Sequence, residues 1–165
     1  MAYADYEFYE KNYFGNVVPE TDFARFSERA SDWLDIVTYD CLATGLPSDE
    51  RAQKRIKKVI CVLSETLYQI ELAEKQAMRV ISLGSSAQES GANSEEGVVT
   101  SRSSGTESIS YATPQQLGSA AKEWNALYAV AGDPQKTNDL LLKIALPLLM
   151  GIRTDDGMPI LYAGV

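Results

Sequence analysis

The sequence predicts an all-α fold, a helical bundle with one long central helix, plus a small β-hairpin or a flexible Ser/Gly-rich loop. Three observations favour this class. Apolar residues recur at intervals of three and four in several segments, as they do in helices that bury one face. Residues 49–83 contain neither glycine nor proline, so one helix can run through them unbroken. The chain has 165 residues, of which 45% are apolar, enough for the core of a single domain over 1–165.

Two helices are predicted in the first 48 residues. Asp5 can cap a short helix that Gly15 ends, because Asp accepts hydrogen bonds from free amides and Gly allows a left-handed exit. Pro19 then opens a second helix whose first turn is acidic, as the helix dipole favours. The apolar stripe of this second helix consists of Phe23, Phe26, Ala30, Trp33, Leu34 and Val37.

The next helix is predicted to be unusually long. Ser48 begins it, and the three-four spacing of apolar residues continues to Val80. At 1.5 Å per residue its length is up to about 50 Å. A helix of that length either crosses the whole bundle or projects beyond it to meet another subunit.

Residues 84–112 are predicted to form a flexible loop or a hairpin. Between 84 and 110, 13 of 27 residues are Ser or Gly, a composition that buries too little apolar area to offset ordering. Residues 98–112 also alternate polar and apolar side chains around Ser104 and Gly105, which suits a tight turn between two strands.

Two further helices and a docking tail are predicted in the C-terminal third of the chain. Thr113 and Pro114 start one helix. The apolar run 140–150 predicts a buried helix that Pro147 kinks or ends. Residues 151–165 end in an apolar stretch, which we expect to dock on another surface.

The sequence predicts no catalytic, cofactor-binding or metal-binding residues. It contains no histidine, the usual near-neutral base and commonest metal ligand, and no phosphate-binding or nucleophile motif. Cys41 and Cys61 are expected to be separate reduced thiols. The pair Asp155 and Asp156 is expected to form a turn, since the other ligands of a calcium loop are missing.

Charge divides the chain unevenly. The net charge is −8, with −6 on residues 1–48 and +2 on residues 49–83. A basic cluster opens the long helix, and we expect a solvated face or a contact with an acidic neighbouring subunit rather than DNA binding. Its members are Lys54, Arg55, Lys57 and Lys58.

Tyr3 and Tyr6 lie in an aromatic-rich N-terminal segment that suits either a core or an interface.

No segment is long and apolar enough to span a membrane, and the N-terminus lacks the pattern of a signal peptide. The sequence therefore predicts a soluble protein that does not bind membranes.

Residues 6–35, YEFYEKNYFGNVVPETDFARFSERASDWLD, resemble the start of the head-to-tail connector (adaptor, head completion) proteins of tailed bacteriophages and prophages of Gram-positive bacteria. The matching positions are Phe8, Tyr9, Gly15, Asn16, Pro19, Phe23, Arg29, Ala30, Ser31 and Asp35. The long helix, the stretch ending in SISYA and the terminal LYAGV follow the order of elements in that family.

The resemblance implies a structural virion protein, not an enzyme, that joins the portal to the tail. It implies a ring of about a dozen copies around a channel through which DNA passes without specific binding. The implied partners are further copies of the chain, the portal protein and a tail or stopper protein. The implied location is the host cytoplasm during assembly and the virion afterwards.

Two contact surfaces follow as hypotheses. The subunit interface is expected at Lys54, Arg55, Lys57, Lys58, Tyr3 and Tyr6. The contact with the portal or tail is expected at Ile160, Leu161, Tyr162 and Val165.

Three other functions are compatible with the sequence. The chain could be another phage neck or tail-completion subunit, or a helical regulatory module directed at the host. It could also be a Mg-dependent all-α nucleotide pyrophosphohydrolase, in which Glu71 and Glu74 share a helix face and hold the metal. The second carboxylate pair of such enzymes is missing from the next helix.

Overall fold

The structure, a computed structural model, describes residues 2–86, 99–103, 108–111, 127 and 129–161. It is mostly helical, which confirms the predicted all-α class. The helices are α1 (Tyr6–Phe8) with a π-helical turn (Tyr9–Tyr13), α2 (Glu20–Val37), α3 (Glu50–Ser86) and α4 (Pro134–Leu149). The strands are β1 (Val99–Ser103) and β2 (Ser108–Tyr111), paired antiparallel. Most of the helix predicted from Thr113 lies outside the described residues.

The chain forms two compact units. The first comprises Met1–Gln69 and Asp133–Val165, and the second comprises Ile70–Gly132. None of the helices among the described residues is long and apolar enough to cross a membrane.

The N-terminal segment forms a short helix capped by Asp5, as the sequence predicts, but the left-handed exit lies at Phe14 and not at Gly15. Asp5 caps α1 by accepting a hydrogen bond of 2.8 Å from the Phe8 amide. The π-helical turn ends at Phe14, which has a left-handed backbone (φ 63°). Gly15 follows, and any β-carbon there would overlap the Tyr9 ring, so only glycine fits. This close approach keeps Tyr9 fully buried.

α2 buries most of the stripe that its spacing predicts, while Trp33 and Val37 are half-buried. Pro19 precedes its first turn, and Phe23, Phe26, Ala30 and Leu34 lie in the core. Two buried serines on the same side attach the chain start to the helix. Ser27 donates to the Ala4 carbonyl (2.6 Å), and Ser31 Oγ accepts from the Tyr3 amide (3.1 Å).

The core of the first unit joins the N-terminal aromatic residues to the helices. Its largest fully buried side chains are Tyr9, Val18, Phe23, Phe26, Leu34, Leu42, Ile56, Val59, Ile60, Leu63, Leu149 and Ile160. The Tyr9 and Phe23 rings stack with centroids 4.6 Å apart.

The predicted buried helix at 140–150 is only partly buried. Leu141, Ala145 and Leu149 form one buried face of α4, which continues through Pro147. Leu146, Leu148 and Met150 are 38%, 36% and 67% exposed. The expectation of burial on nearly all faces is therefore wrong, because the described core covers one side of the helix only.

The chain after α4 packs on the first unit. Ile152 and Ile160 are buried, and the Ile160 amide donates to the Ile152 carbonyl (3.2 Å). Between them lies a turn, as predicted for Asp155 and Asp156. The Asp155 carboxylate accepts from the Ser48 amide (2.8 Å) and hydroxyl (2.7 Å), joining this turn to the start of α3. These two hydrogen bonds, the hydroxyl first, lower the pKa of Asp155.

Candidate functional site

The predicted basic cluster of α3 separates into two pairs. Lys54 and Lys58 are exposed, whereas Arg55 and Lys57 are half-buried. A helix turns by about 100° per residue, so neighbours in sequence point in different directions. The four cations are therefore not equivalent.

Arg55 joins α3 to the end of α4. Its Nη2 donates hydrogen bonds to the carbonyls of Leu148 (2.6 Å) and Met150 (2.8 Å). Carbonyl groups at the C-terminal end of a helix lack intrahelical partners and carry partial negative charge, which a guanidinium neutralises well. Arg55 thus has an intrachain role in holding the two helices together.

Lys57 also has an intrachain contact. Its ammonium lies 5.5 Å from the centroid of the Phe8 ring, within the range of a cation–π interaction. The contact lies in the same unit as the N-terminal aromatic residues, so Lys57 is a less suitable partner for another molecule than Lys54 and Lys58.

A third cation, which the sequence analysis missed, completes the outward face. Arg51 is exposed and lies one turn before Arg55. Arg51, Lys54 and Lys58 fall within about 60° of arc on α3. None of these three side chains forms an ion pair within the part of the chain that the structure describes. The positions 51, 54 and 58 show helical spacing, so periodicity is the signal that identifies the face.

Exposed apolar side chains lie at the end of α4, where Arg55 is bound. We call the combined set the basic–apolar surface: Arg51, Lys54, Lys58, Leu146 and Met150. Protein interfaces are enriched in Met and Arg and combine an apolar centre with a polar rim. A cavity of about 430 Å³ adjoins this surface, lined by residues including Arg51, Arg55, Arg153 and Asp155.

The predicted interface tyrosines are held within their own unit. The Tyr3 hydroxyl donates a hydrogen bond of 2.5 Å to Asp35, and burial followed by this carboxylate raises the Tyr3 pKa. Tyr6 is half-buried and packs edge-on against Phe23, with ring centroids 5.7 Å apart. Both side chains therefore contribute to packing within the chain.

The predicted portal or tail contact is only partly described. Ile160 is 1% exposed, so its side chain is almost entirely covered by the core of its own unit. Leu161 is half-buried and packs against the same core. Tyr162 and Val165 lie outside the described residues.

Glu65 is the polar centre of the N-terminal cluster, and the sequence analysis missed it. Its two oxygens accept hydrogen bonds from Tyr9 (2.8 Å) and Tyr13 (3.0 Å). Burial and then the charge of Glu65 raise the pKa of the nearby Cys61 thiol to about 12, which keeps the thiol protonated and unreactive. This arrangement fastens the aromatic segment to α3.

The carboxylates considered for a metal have other partners. Glu71 accepts from Lys75 (2.8 Å), and Glu74 accepts from the Gly132 amide (3.1 Å). Among the described residues, no group of three or more Asp, Glu, His or Cys side chains is arranged to hold a metal ion. The described part of the second unit therefore uses these acids in local contacts.

Comparisons of the chain with protein-family models, curated proteins and solved structures found no match.

Proposed function

We propose that this protein is a structural virion protein, an adaptor that joins the portal to the tail of a tailed phage and forms a ring around the DNA channel. The sequence resemblance to head-to-tail connectors motivates the proposal. The observation that best supports it is the basic–apolar surface, an outward-facing basic stripe beside exposed Leu and Met side chains on a chain of net charge −8. That combination suits contact with an acidic protein surface.

The charge of the chain suits a channel through which DNA slides. A subunit of net charge −8 repels a polyanion at long range. In the proposed ring, the cations of the basic–apolar surface face neighbouring protein and the channel wall does not grip the DNA.

The length of α3 also suits an assembly subunit. Its 37 residues correspond to about 55 Å at the rise of an α-helix. We propose that α3 is the long central helix of the connector architecture and that β1 and β2 form its hairpin. The predicted loop or hairpin over 84–112 is then a candidate contact with the portal or the next tail component.

The experiment that tests the proposal uses the portal protein encoded in the same genome. Purified adaptor is mixed with portal rings, and bound protein is measured by sedimentation and imaged by electron microscopy. We expect a ring of adaptor on one end of the portal. Binding to an isolated tail protein but not to the portal would favour another neck or tail-completion subunit. Release of pyrophosphate from nucleoside triphosphates with magnesium would favour the hydrolase.

A charge-reversal variant tests the role of the basic face in the same assay. Lys54→Glu with Lys58→Glu should prevent ring formation on the portal while leaving helicity intact, because both side chains are exposed. Arg55 and Lys57 are left unchanged since each has an intrachain contact. The matched control, Lys11→Glu with Lys136→Glu, also changes the net charge from −8 to −12 but alters only exposed i,i+4 and i,i+3 pairs.

Deletion of residues 86–110 tests the segment between α3 and the last third of the chain. We expect the first unit to fold, since residues 86–110 belong to the second unit, and attachment to the portal or tail to be lost. If the deletion variant attaches as well as the intact chain does, this segment is not a contact with the portal or the tail.

A further inference from the structure

A second surface with exposed apolar residues lies at the C-terminal end of α2. Ile36 is 73% exposed and Tyr39, one turn later, is 68% exposed. Asp32 precedes Ile36 by one helical turn, and Asp40 follows Tyr39. Both carboxylates are exposed. We call Asp32, Ile36, Tyr39 and Asp40 the acidic–apolar surface.

The backbone at this surface is unusual. Tyr39 and Asp40 are consecutive residues with left-handed conformations, φ 53° and 59°. Asp tolerates this region, but an aromatic residue rarely adopts it. Hydrogen bonds hold the turn, from the Asp40 amide to the Asp35 carbonyl (2.8 Å) and from the Cys41 amide to the Thr38 carbonyl (3.1 Å). These hydrogen bonds fix the backbone of Tyr39 at the end of α2, where its side chain is mostly exposed.

An apolar pocket adjoins Tyr39. It has a volume of about 380 Å³ and is lined by Thr38, Tyr39, Cys41, Pro159 and Ile160. Within these lining residues there is no charged side chain. The nearest residue in sequence with a charge is Asp40, so the pocket is apolar at its centre and acidic at its edge.

We infer that a second copy of this chain occupies the acidic–apolar surface with its basic–apolar surface. Charge complementarity identifies this occupant, because each copy carries Asp32 and Asp40 on one surface and Arg51, Lys54 and Lys58 on the other. Met150 supplies a flexible, unbranched side chain suited to an irregular apolar pocket. The inference rests on the proposed function, since it specifies the contact between ring subunits.

The contact joins two different surfaces of one chain. Such a heterologous contact leaves one surface of each type free after two copies associate, so a third copy can add. Repetition closes into a ring when the rotation per subunit divides a full turn.

A nucleic acid or an anionic lipid surface is a poor occupant of the acidic–apolar surface because its charge has the same sign as the carboxylates.

Disulfide cross-linking tests the contact directly. Cys41 lines the pocket, whereas Cys61 is fully buried. The variant Met150→Cys places a thiol on the opposite surface. With a copper catalyst, one molecule of oxygen takes four electrons and four protons from four thiols, which gives two disulfides and two molecules of water. We expect concentrated Met150→Cys protein to give a ladder of covalent multimers on non-reducing gels.

Two controls define the result. The variant Met78→Cys places a thiol at an equally exposed methionine (70%) outside both surfaces and should give at most dimers. Met150→Cys combined with Cys41→Ser should also give at most dimers, since only one reactive thiol remains per chain. A ladder that needs both Cys41 and the thiol introduced by Met150→Cys supports the inference. Absence of the ladder, or an equal ladder from Met78→Cys, overturns it.

Charge reversal gives a quantitative second readout. Asp32→Lys and, separately, Lys54→Glu with Lys58→Glu should each weaken self-association of the unmodified chain at least about ten-fold, measured by sedimentation equilibrium. The control variant with Lys11→Glu and Lys136→Glu should keep the self-association constant within about two-fold of that of the unmodified chain. Those side chains lie in exposed intrachain pairs that contribute little energy. An equal effect of the control would assign the change to net charge and overturn the inference.

The outcomes separate this inference from the proposed function. A ring on the portal in which Met150→Cys protein forms no disulfide to Cys41 would retain the adaptor and overturn the contact. A cross-linked ladder from a protein that does not bind the portal would retain the contact and overturn the adaptor.

Discussion

The Tyr9 hydroxyl donates a hydrogen bond of 2.8 Å to the Glu65 carboxylate, linking the π-helical turn to α3. The same oxygen accepts hydrogen bonds from the amides of Val17 (2.9 Å) and Val18 (3.1 Å). One buried side chain therefore satisfies a carboxylate and two backbone groups, and the N-terminal segment depends on it.

Removal of this hydroxyl should destabilise the first unit. Tyr9→Phe keeps the ring but leaves the buried Val18 amide and one Glu65 oxygen without their partner, at a cost of about 1–3 kcal/mol. Urea unfolding followed by circular dichroism measures the loss. Tyr6→Phe is the matched control, since the Tyr6 hydroxyl forms no hydrogen bond within the described residues. Equal stabilities of the two variants would contradict the role given to Tyr9.

Any side chain at position 15 should disturb the same cluster. Gly15→Ala places a methyl group on the Tyr9 ring, which must then leave its stacked position against Phe23. We expect a loss of about 1–3 kcal/mol, typical of overpacking. Asn16→Ala, at the next and exposed position, should cost less than about 0.5 kcal/mol. Thermal unfolding of the two variants makes the comparison.

Arg55 should matter for stability and its exposed neighbours should not. Arg55→Ala leaves the Leu148 and Met150 carbonyls without the guanidinium and should lower the free energy of unfolding by about 1–3 kcal/mol. Lys54→Ala should change it by less than about 0.5 kcal/mol. Chemical denaturation of both variants is sufficient. A destabilisation by Lys54→Ala as large as that by Arg55→Ala would contradict the separation of the two pairs.

Stability should fall at alkaline pH. Burial, more than the neighbouring Glu65, raises the pKa of Tyr9 from 10.0 to about 12, and burial raises that of Cys61 from 9.0 to about 12. Above pH 9 the unfolded chain loses these protons before the folded chain does, so unfolding becomes more favourable with rising pH. The stabilisation that the protonated Tyr9 and Cys61 side chains give the folded chain is complete below pH 9 and is lost as the pH approaches 12. Urea midpoints at pH 8 and pH 11 test this, and Tyr9→Phe should reduce the difference.

The helices could be predicted from local sequence patterns because the interactions that form a helix join residues close in sequence. The caps at Asp5 and Pro19 and the buried stripe of α2 depend on residues within one or two turns of each other. The spacing of Phe23, Phe26, Ala30 and Leu34 identifies a buried face without knowledge of what covers it.

The candidate site was only partly predictable because it depends on distant contacts. The basic cluster was visible in the sequence, but Arg55 is bound to carbonyls 93 and 95 residues away, which no local pattern encodes. The partial exposure of α4 was missed for the same reason, since an apolar run does not reveal which of its faces the core covers. Glu65 lies among apolar positions, and its tyrosine partners come from more than 50 residues earlier.

The most direct test of the account is electron microscopy of this protein mixed with the portal protein encoded in its own genome. The account predicts a closed ring of this chain on one end of the portal, and loss of that ring with Lys54→Glu and Lys58→Glu. Portal particles without bound adaptor at saturating protein, together with pyrophosphate release from nucleoside triphosphates and magnesium, would contradict it.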